Sequence, residues 1–561
     1  MWARHYKTLA CAAALALSAP TSHAAPVAPV AAANTMPADH AQLVKLFADW
    51  RLFVQPAIRA GVPDYSEAAM ARKASALADY RTRLSAIDRS GWNAMALNDY
   101  RLVEAEMNGL DFSLRVLKPW ARDPSFYQTV FADQSDVPAH EGPSAQPNID
   151  LFAYTYPLSR SDDARLTTLI GAIAPMLVQA KNNLASSNAH DLWAYGDRAF
   201  IEQSKTLAAL EQGALTMNSL EGKRVANLEG ASPALLRAIR QARAATDEFA
   251  AWVAAQAPLR TGPSGVGKAN YDWYLSHVEL NPYSWDQQVL LLQRELDRAL
   301  ASLRLEELRN RALPPIQEIS DPTAYRRMAE AKTARFSDFL AATGLFPDRP
   351  YYRAAMAAQT SGYVPPAERN FFTHGTALDP LPLLSHSTHW IELARLKHEP
   401  SPNPIRAVPP LFNIYADRSE GFATAMEEVV MQAGLYDDIP HGREIVWIML
   451  ANRAARGLAS LHVQANEMSL AEAGRFHAEW TPRGWSDPNS QLVGFEQLLY
   501  MRQPGYGPSY IIGKLQLDAL LARASHEAEQ SGRPFAMRDV MERVHGAGII
   551  PPALIEAELF D

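Results

Sequence analysis

Apolar residues recur at three- and four-residue steps along most of the chain. Two early examples are AQLVKLFADWRLFV at 41–54 and NDYRLVEAEMNGLDFSLRVL at 98–117. This spacing places the apolar side chains on one face of an α-helix. The same periodicity predicts further helices over 165–185, 196–217, 233–256, 285–313, 322–343, 386–398, 421–433, 444–465, 509–525 and 537–546.

Signals for β-strands are sparse, because no Asn-Gly or Asp-Gly turn separates two alternating apolar runs. Ser284 and Gln287 form a capping box before the long helix that begins at Trp285. The stretch over 122–165 is rich in Pro, Asp and Ser and predicts a long loop region, and TGPSGVGK at 261–268 is a Gly-rich break. We therefore predict a mainly α fold with few or no strands.

The Gly-rich break is the best candidate for a domain boundary. We expect an N-terminal helical lobe over 41–260 and a C-terminal helical lobe over 261–561 that carries the functional site. The two lobes together are expected to form one large body around a central cleft. No internal repeat interrupts this organisation.

The first residues have the organisation of a secretory signal peptide. Arg4 and Lys7 supply positive charge, residues 9–19 form a short apolar run, and Ser-His-Ala at 22–24 fits a small-x-small cleavage site. These features predict a cleaved signal peptide over 1–24 and a periplasmic protein.

The segment after the predicted cleavage site is Ala/Pro-rich, and we expect a flexible tether over 25–40. The single cysteine, Cys11, lies in the leader, so the mature chain would have no disulfide, thiol nucleophile or cysteine metal ligand. Leu9-Ala10-Cys11 could alternatively be a lipoprotein signal, but almost no apolar stretch precedes these residues.

Composition narrows the class of partner. The chain is 48% hydrophobic and 20% charged, which is typical of a globular protein. Its net charge is −8, from 53 basic and 61 acidic residues, whereas nucleic-acid binders usually carry a basic excess. Beyond the leader no stretch of 18 uninterrupted apolar residues predicts a membrane span. We expect a small-molecule substrate, and the sequence leaves the oligomeric state open.

The residues most informative about chemistry lie between 371 and 438. His386, His389 and Glu392 are three residues apart and would share a face on one helix. Glu420 begins a second predicted helix, with Glu427 on the same face. Two imidazoles and a carboxylate are ligands that a single divalent metal, typically zinc, takes together with one open position. The alternative is a surface or packing role for the histidine pair, since the HExxH motif is absent.

Tyrosine, lysine and tryptophan side chains accompany these groups. Tyr506 and Tyr510 flank Gly507-Pro508 and begin a predicted helix, whose N-terminus would favour a phenolate or oxyanion. Lys514 lies one turn beyond Tyr510, and Trp390 is among the aromatic residues that could wall a pocket for a flat ligand. These residues are candidates for binding substrate.

Two arginines are further candidates. Arg453 and Arg456 are three residues apart on a predicted helix and therefore share a face. A guanidinium can hold a substrate carboxylate by a bidentate contact. Their alternative role is to form salt bridges with nearby acidic helices.

Five segments together resemble a known family, the bacterial domain-of-unknown-function family 885 (DUF885). The resemblance covers most of the mature chain and is densest after Gly265. The matching segments are GVGKANYDWYLSHVELNPYSW, STHWIELA, SEGFATAMEEVVMQAGLYDD, QPGYGPSYIIGKLQL and the GIIPPALIE ending.

This resemblance implies a metallopeptidase-like site in a mainly helical scaffold. His389 matches the family's first histidine after Pro-Gly, and Glu420 matches the glutamate before Gly-aromatic. Tyr510 matches a tyrosine that could polarise a carbonyl. The family's leading His-Glu pair falls at Leu383-Leu384, so the first metal ligand and the general base are missing.

Three hypotheses follow from the residues that match the family pattern and from those that differ from it. The favoured one is an enzyme using acid–base, lyase-type chemistry through His386, His389, Glu420 and Tyr510, because losing a general base costs amide hydrolysis about 10²–10⁴-fold. The second is a rearranged peptidase or amide hydrolase with zinc on His386, His389 and Glu420, and with Glu392 or Glu427 as base. The third is a non-catalytic descendant that binds a ligand.

Overall fold

A computed structural model describes residues 36–37, 39–137, 146–412, 415–439 and 441–560. The predicted signal peptide and nearly all of the predicted tether lie outside these residues. None of the helices within the described ranges is both long and apolar enough to span a membrane.

Helices account for most of the described residues, which confirms the predicted mainly α fold. Those of the first half are α1 (His40–Phe53), α2 (Glu67–Ser85), α3 (Ala94–Phe112), α4 (Pro119–Arg122), α5 (Arg160–Gly171), α6 (Ile173–Asn183), α7 (His190–Ala194), α8 (Arg198–Glu211), α9 (Pro233–Gln256) and α10 (Lys268–Tyr274). Those of the second half are α11 (Trp285–Arg309), α12 (Pro322–Thr343), α13 (Pro350–Ala358), α14 (Phe371–Leu378), α15 (Leu381–His386), α16 (His389–His398), α17 (Ala416–Gln432), α18 (Gly442–Gln464), α19 (Leu470–Trp480), α20 (Gln491–Arg502), α21 (Tyr506–Gln530), α22 (Met537–Ala547) and α23 (Pro552–Phe560).

Strands are short and form three separate pairs in the described part of the chain. They are β1 (Ile58–Arg59), β2 (Val62–Pro63), β3 (Val130–Phe131), β4 (Ile149–Asp150), β5 (Thr216–Ser219) and β6 (Gly222–Val225). The first and third pairs are antiparallel and the second is parallel. The helix predicted over 196–217 ends at Glu211, because the chain then turns into the β5–β6 hairpin.

Polar caps fix the beginnings of several helices. The predicted capping box is confirmed: the Ser284 hydroxyl accepts from the Gln287 backbone, and the Gln287 side chain accepts from the Ser284 backbone. Ser66 and Ser232 cap α2 and α9 in the simpler way, through the side-chain oxygen alone. Such caps satisfy backbone donors that the first turn of a helix leaves without partners.

Two large apolar cores organise the fold. The main core joins α1 and α3 to the helices after 266, above all α11, α17, α18 and α21. The second core lies among α5, α6, α8 and α9, around Trp193, Phe200 and Phe249. The division into lobes at 260/261 stays a prediction.

The closest helix crossings lie in the main core and need glycine. A Cβ added to Gly421 of α17 would lie 2.3 Å from the Cα of Gly513, and one added to Gly513 of α21 would lie 1.9 Å from the Asp417 carbonyl oxygen. A Cβ on Gly457 of α18 would lie 3.0 Å from the carbonyl oxygen of Gly507. Because glycine lacks a Cβ, these backbones can pack in direct contact.

We predict that Gly513→Ala destabilises the protein by at least about 1–3 kcal/mol, because the added methyl group forces α17 and α21 apart. Gly546→Ala is the matched control, since a Cβ there meets nothing within 4 Å and alanine is the better helix former. Urea unfolding of both variants measures the difference. Equal unfolding free energies for the two variants would contradict the close crossing.

Candidate functional site

The two histidines lie at a break between helices. His386 is the last residue of α15 and His389 the first of α16, so the single helix predicted over 386–398 is wrong at its start. The break still brings the rings together, with centroids 5.0 Å apart and planes at 89°. Each Nε2 lies 3.2 Å from Oε2 of Glu420 on α17. The imidazoles therefore converge on one carboxylate.

The tyrosines approach the other oxygen of the same carboxylate. Tyr506 and Tyr510 donate their hydroxyl protons to Oε1 of Glu420, at 2.6 Å and 2.9 Å. Tyr506 is the first residue of α21 and Tyr510 lies one turn further along, with Gly507-Pro508 between them. The structure thus brings His386, His389, Glu420, Tyr506 and Tyr510 together, and we call the first three the His–Glu cluster.

Burial and hydrogen bonding set the charges in this site. Burial alone would raise the pKa of Glu420, but the hydrogen bonds from His386 and His389 outweigh it and hold the pKa well below its usual range. Burial lowers the pKa of His389, yet its hydrogen bond to Glu420 prevails and raises the pKa to about 8. Burial and the charge of Glu420 raise the pKa of Tyr510 far above its ordinary value, so its phenol stays protonated.

A carboxylate lies behind the cluster. Oε1 of Glu427 lies 3.0 Å from Nδ1 of His386 and 2.5 Å from a guanidinium nitrogen of Arg453. Arg453 is therefore ion-paired with Glu427 of α17, which is the alternative role that the sequence left open for it. Among the described residues, Nδ1 of His386 and the two oxygens of Glu427 form no hydrogen bond, so Glu427 acts on His386 through its charge and does not fix its tautomer.

Arg456 also has a buried acidic partner. Its guanidinium pairs with Glu496 of α20 and lies 4.2 Å from the ring centroid of Tyr510. The cation therefore packs against the phenol that contacts Glu420, instead of facing an open pocket. Such a contact stabilises both the arginine and the position of the ring.

The other candidate residues from the sequence do not contact Glu420. Lys514 is buried and pairs with Glu428 at 3.1 Å and Asp518 at 2.8 Å. Trp390 follows His389 and is buried. Glu392, a candidate base, is held by two contacts from Arg418, at 2.5 Å and 3.2 Å.

The charges of the site balance through His389. Glu420, Glu427 and Glu496 carry three negative charges against the two positive charges of Arg453 and Arg456. The raised pKa of His389, about 8, adds a third positive charge at neutral pH. A metal ion on the cluster would take the place of this proton, because a histidine binds a metal through an unprotonated nitrogen.

The donor set fits a divalent metal. The ligand atoms of His386, His389 and Glu420 all lie within 4.8 Å of one another, and only 14%, 1% and 5% of these side chains are exposed. Two histidines and one carboxylate are a recurrent ligand set for catalytic zinc. These three residues would hold the metal.

Sequence reasoning missed three contributors. Glu496 and Arg418 were absent from the candidates because their partners depend on how separate helices pack. Asp136, from the irregular segment before 137, is close enough for its charge to favour the protonated form of His389 and so to help raise its pKa. An aspartate in a Pro/Asp/Ser-rich stretch gives no signal in the sequence.

Solved structures resemble this chain in fold. A candidate lipoprotein of unknown function from Shewanella oneidensis has a TM-score of 0.64 and 13% identity, over 94% of this chain and 100% of its own. A candidate lipoprotein from Colwellia psychrerythraea has a TM-score of 0.61 and 14% identity, over 92% and 98%. At such identities the likeness shows the fold alone.

No protein-family model and no curated protein matches the chain. The resemblance to DUF885 therefore rests on the motif residues alone. The chain shares its helical fold with bacterial proteins whose function is unknown.

One turn before Glu420, Asp417 carries a testable pH dependence. The side chains of Asn281 and Gln516 donate to its Oδ2. Burial outweighs these hydrogen bonds and raises its pKa from 3.8 to about 7. Between these values the folded chain holds a proton that the unfolded chain has released, so stability falls as the pH rises.

Asp417→Asn removes this titration. We therefore predict that the unfolding free energy of Asp417→Asn rises relative to that of the wild type as the pH rises from about 4 to about 7, by up to about 4 kcal/mol. Urea unfolding across this range measures the gain. Asp88→Asn is the control of opposite sign, because hydrogen bonds from Ser90 lower the pKa of Asp88. A pH-independent difference for Asp417→Asn would contradict the raised pKa.

Proposed function

We propose that the protein is an exported enzyme that performs acid–base, lyase-type chemistry on a small aromatic or carboxylate-bearing molecule. The site is the His–Glu cluster with Tyr506 and Tyr510. The observation that carries this proposal is the pairing of the carboxylates around the cluster.

Three acidic groups near the cluster have cationic partners. Glu427 pairs with Arg453, Glu496 with Arg456, and Glu392 with Arg418. Burial alone would raise the pKa of Glu392, but Arg418 outweighs it and lowers the pKa, which makes this candidate a weak general base. Leu384 is buried in the main core and Leu383 packs against it, so the positions of the family's His-Glu pair supply no base. Water-activated amide hydrolysis is therefore disfavoured.

Proton transfer remains available to the groups that converge on Glu420. His386 is the more exposed of the two histidines and is placed to accept a proton from a substrate carbon. Tyr510 keeps its proton, so it is placed to donate one to a leaving group or to hydrogen-bond an oxyanion. A metal bound by the His–Glu cluster would act as a Lewis acid on a substrate carbonyl.

A zinc-dependent peptidase or amide hydrolase is the second candidate. The specific observation in its favour is the donor set of His386, His389 and Glu420, whose ligand atoms all lie within 4.8 Å of one another, as a zinc ion requires. Membership in DUF885 would agree with this candidate.

Export to the periplasm is part of the proposal. The N-terminal residues have the order of a signal peptide, and two structures of similar fold are described as candidate lipoproteins. A lipid anchor on Cys11 is the alternative form of export.

The test combines metal analysis of the purified protein with a substrate screen. We expect Tyr510→Phe to lower turnover by about 10²–10⁴-fold, because it removes the proton donor without changing the ring. Tyr325→Phe is the matched control, since Tyr325 is buried and its hydroxyl contacts Ser361. Unchanged activity in His389→Ala, Glu420→Gln and Tyr510→Phe would contradict the proposed site.

The same experiment separates the alternatives. Stoichiometric zinc that is lost in His389→Ala, together with peptide hydrolysis, would support the second candidate. Turnover by a metal-free protein would support the lyase. A protein that turns over no compound but is thermally stabilised by a ligand would be a non-catalytic descendant.

A further inference from the structure

A cavity of about 320 Å³ lies where α1, α3 and α16 meet the segments 400–410 and 549–550. Its walls are mainly apolar, formed among others by Phe47, Leu102, Leu393, Ile405, Val408 and Ile549. This size and lining are typical of a site for a small organic molecule.

The cavity adjoins the tyrosine side of the candidate site. Leu393 and Leu396 line it and follow His389 by four and seven residues, which places all three on one face of α16. Ile549 lines it as well and packs against the group that contains Tyr506 and Tyr510. None of the residues that converge on Glu420 is among those that line the cavity, so a molecule there would be separated from them by intervening side chains such as Ile549.

The charged side chains in the lining have a cationic excess. Arg51, Lys397 and Arg406 face the cavity with Glu106 as their one acidic companion. Arg406 pairs with acidic residues outside the lining. Lys397 pairs with Glu221 in an exposed contact, which contributes little and can be exchanged for another anion.

Arg51 is held in the wall of the cavity. One terminal nitrogen donates to Glu106 and to the carbonyl oxygen of Pro409, both at 2.8 Å. The guanidinium lies 4.6 Å from the ring centroid of Phe47. The side chain is still 20% exposed, so its guanidinium can also contact a ligand carboxylate in the cavity.

We propose that this cavity binds a small monocarboxylate with an aromatic or branched alkyl body, whose carboxylate contacts Arg51 and Lys397. The apolar body lies against Leu393 and Ile549. This binding site goes beyond the proposed function, because no residue of the candidate site lines the cavity. It does not require the His–Glu cluster for binding.

The test uses 3-phenylpropionate as the probe and 3-phenyl-1-propanol as its uncharged analogue, with titration calorimetry. The wild type is expected to bind the acid at least about tenfold more tightly than the alcohol. Arg51→Lys keeps a positive charge beside Glu106 but removes the planar set of guanidinium donors, so it should reduce this preference. Equal affinity for acid and alcohol, or no binding of the acid at millimolar concentration, overturns the proposal.

Filling the cavity gives a second, independent measurement. Val408 lines the cavity and is 41% exposed, so Val408→Trp can close it without disturbing the core. It should weaken 3-phenylpropionate about tenfold or more, while Val225→Trp, at a position 57% exposed outside the lining, should bind like the wild type. Wild-type affinity in Val408→Trp would overturn the assignment.

The two proposals fail in different ways. Binding of 3-phenylpropionate that persists in His389→Ala, with no turnover in the wild type, would support the cavity and refute the enzyme. Turnover that depends on Tyr510, in a protein that does not bind 3-phenylpropionate, would support the enzyme and refute the cavity.

Discussion

The direct backbone contact of α17 with α21 is the constraint on which the site depends. Gly421 and Gly513 meet where neither position has room for a Cβ. Glu420 immediately precedes this contact on α17, and Tyr510 lies one turn before it on α21. The phenol therefore reaches the carboxylate at 2.9 Å, which two helices packed through larger side chains could not allow.

Charge then determines what the site can do. Three buried glutamates meet two buried arginines, and ion pairs of this kind are stable only when every charge has a partner. The remaining negative charge is on Glu420, where both imidazoles and both phenols converge. The proton of His389, or a metal ion in its place, completes the balance. Substrate chemistry in such a place would draw on the same proton donors and acceptors that stabilise the fold.

Periodicity was sufficient to predict the helical fold, because helices with one apolar face dominate the chain. It did not predict the break between His386 and His389, since Ser387-Thr388 carry no strong helix-breaking signal. The two histidines are neighbours all the same, because the chain turns there without separating them. The sequence does not predict the ion-pair partners of Arg453 and Arg456, because each partner depends on how the helices are rotated about their own axes when they pack.

The central claim is that the charge of Glu420 is offset by the proton of His389, or by a metal ion in its place. Nitrogen-15 NMR of the histidine side chains at neutral pH tests it most directly, with His389 assigned by comparison with His389→Gln. The account predicts a doubly protonated His389 or an Nε2 bound to metal. A neutral His389 with no metal on its Nε2 would contradict it.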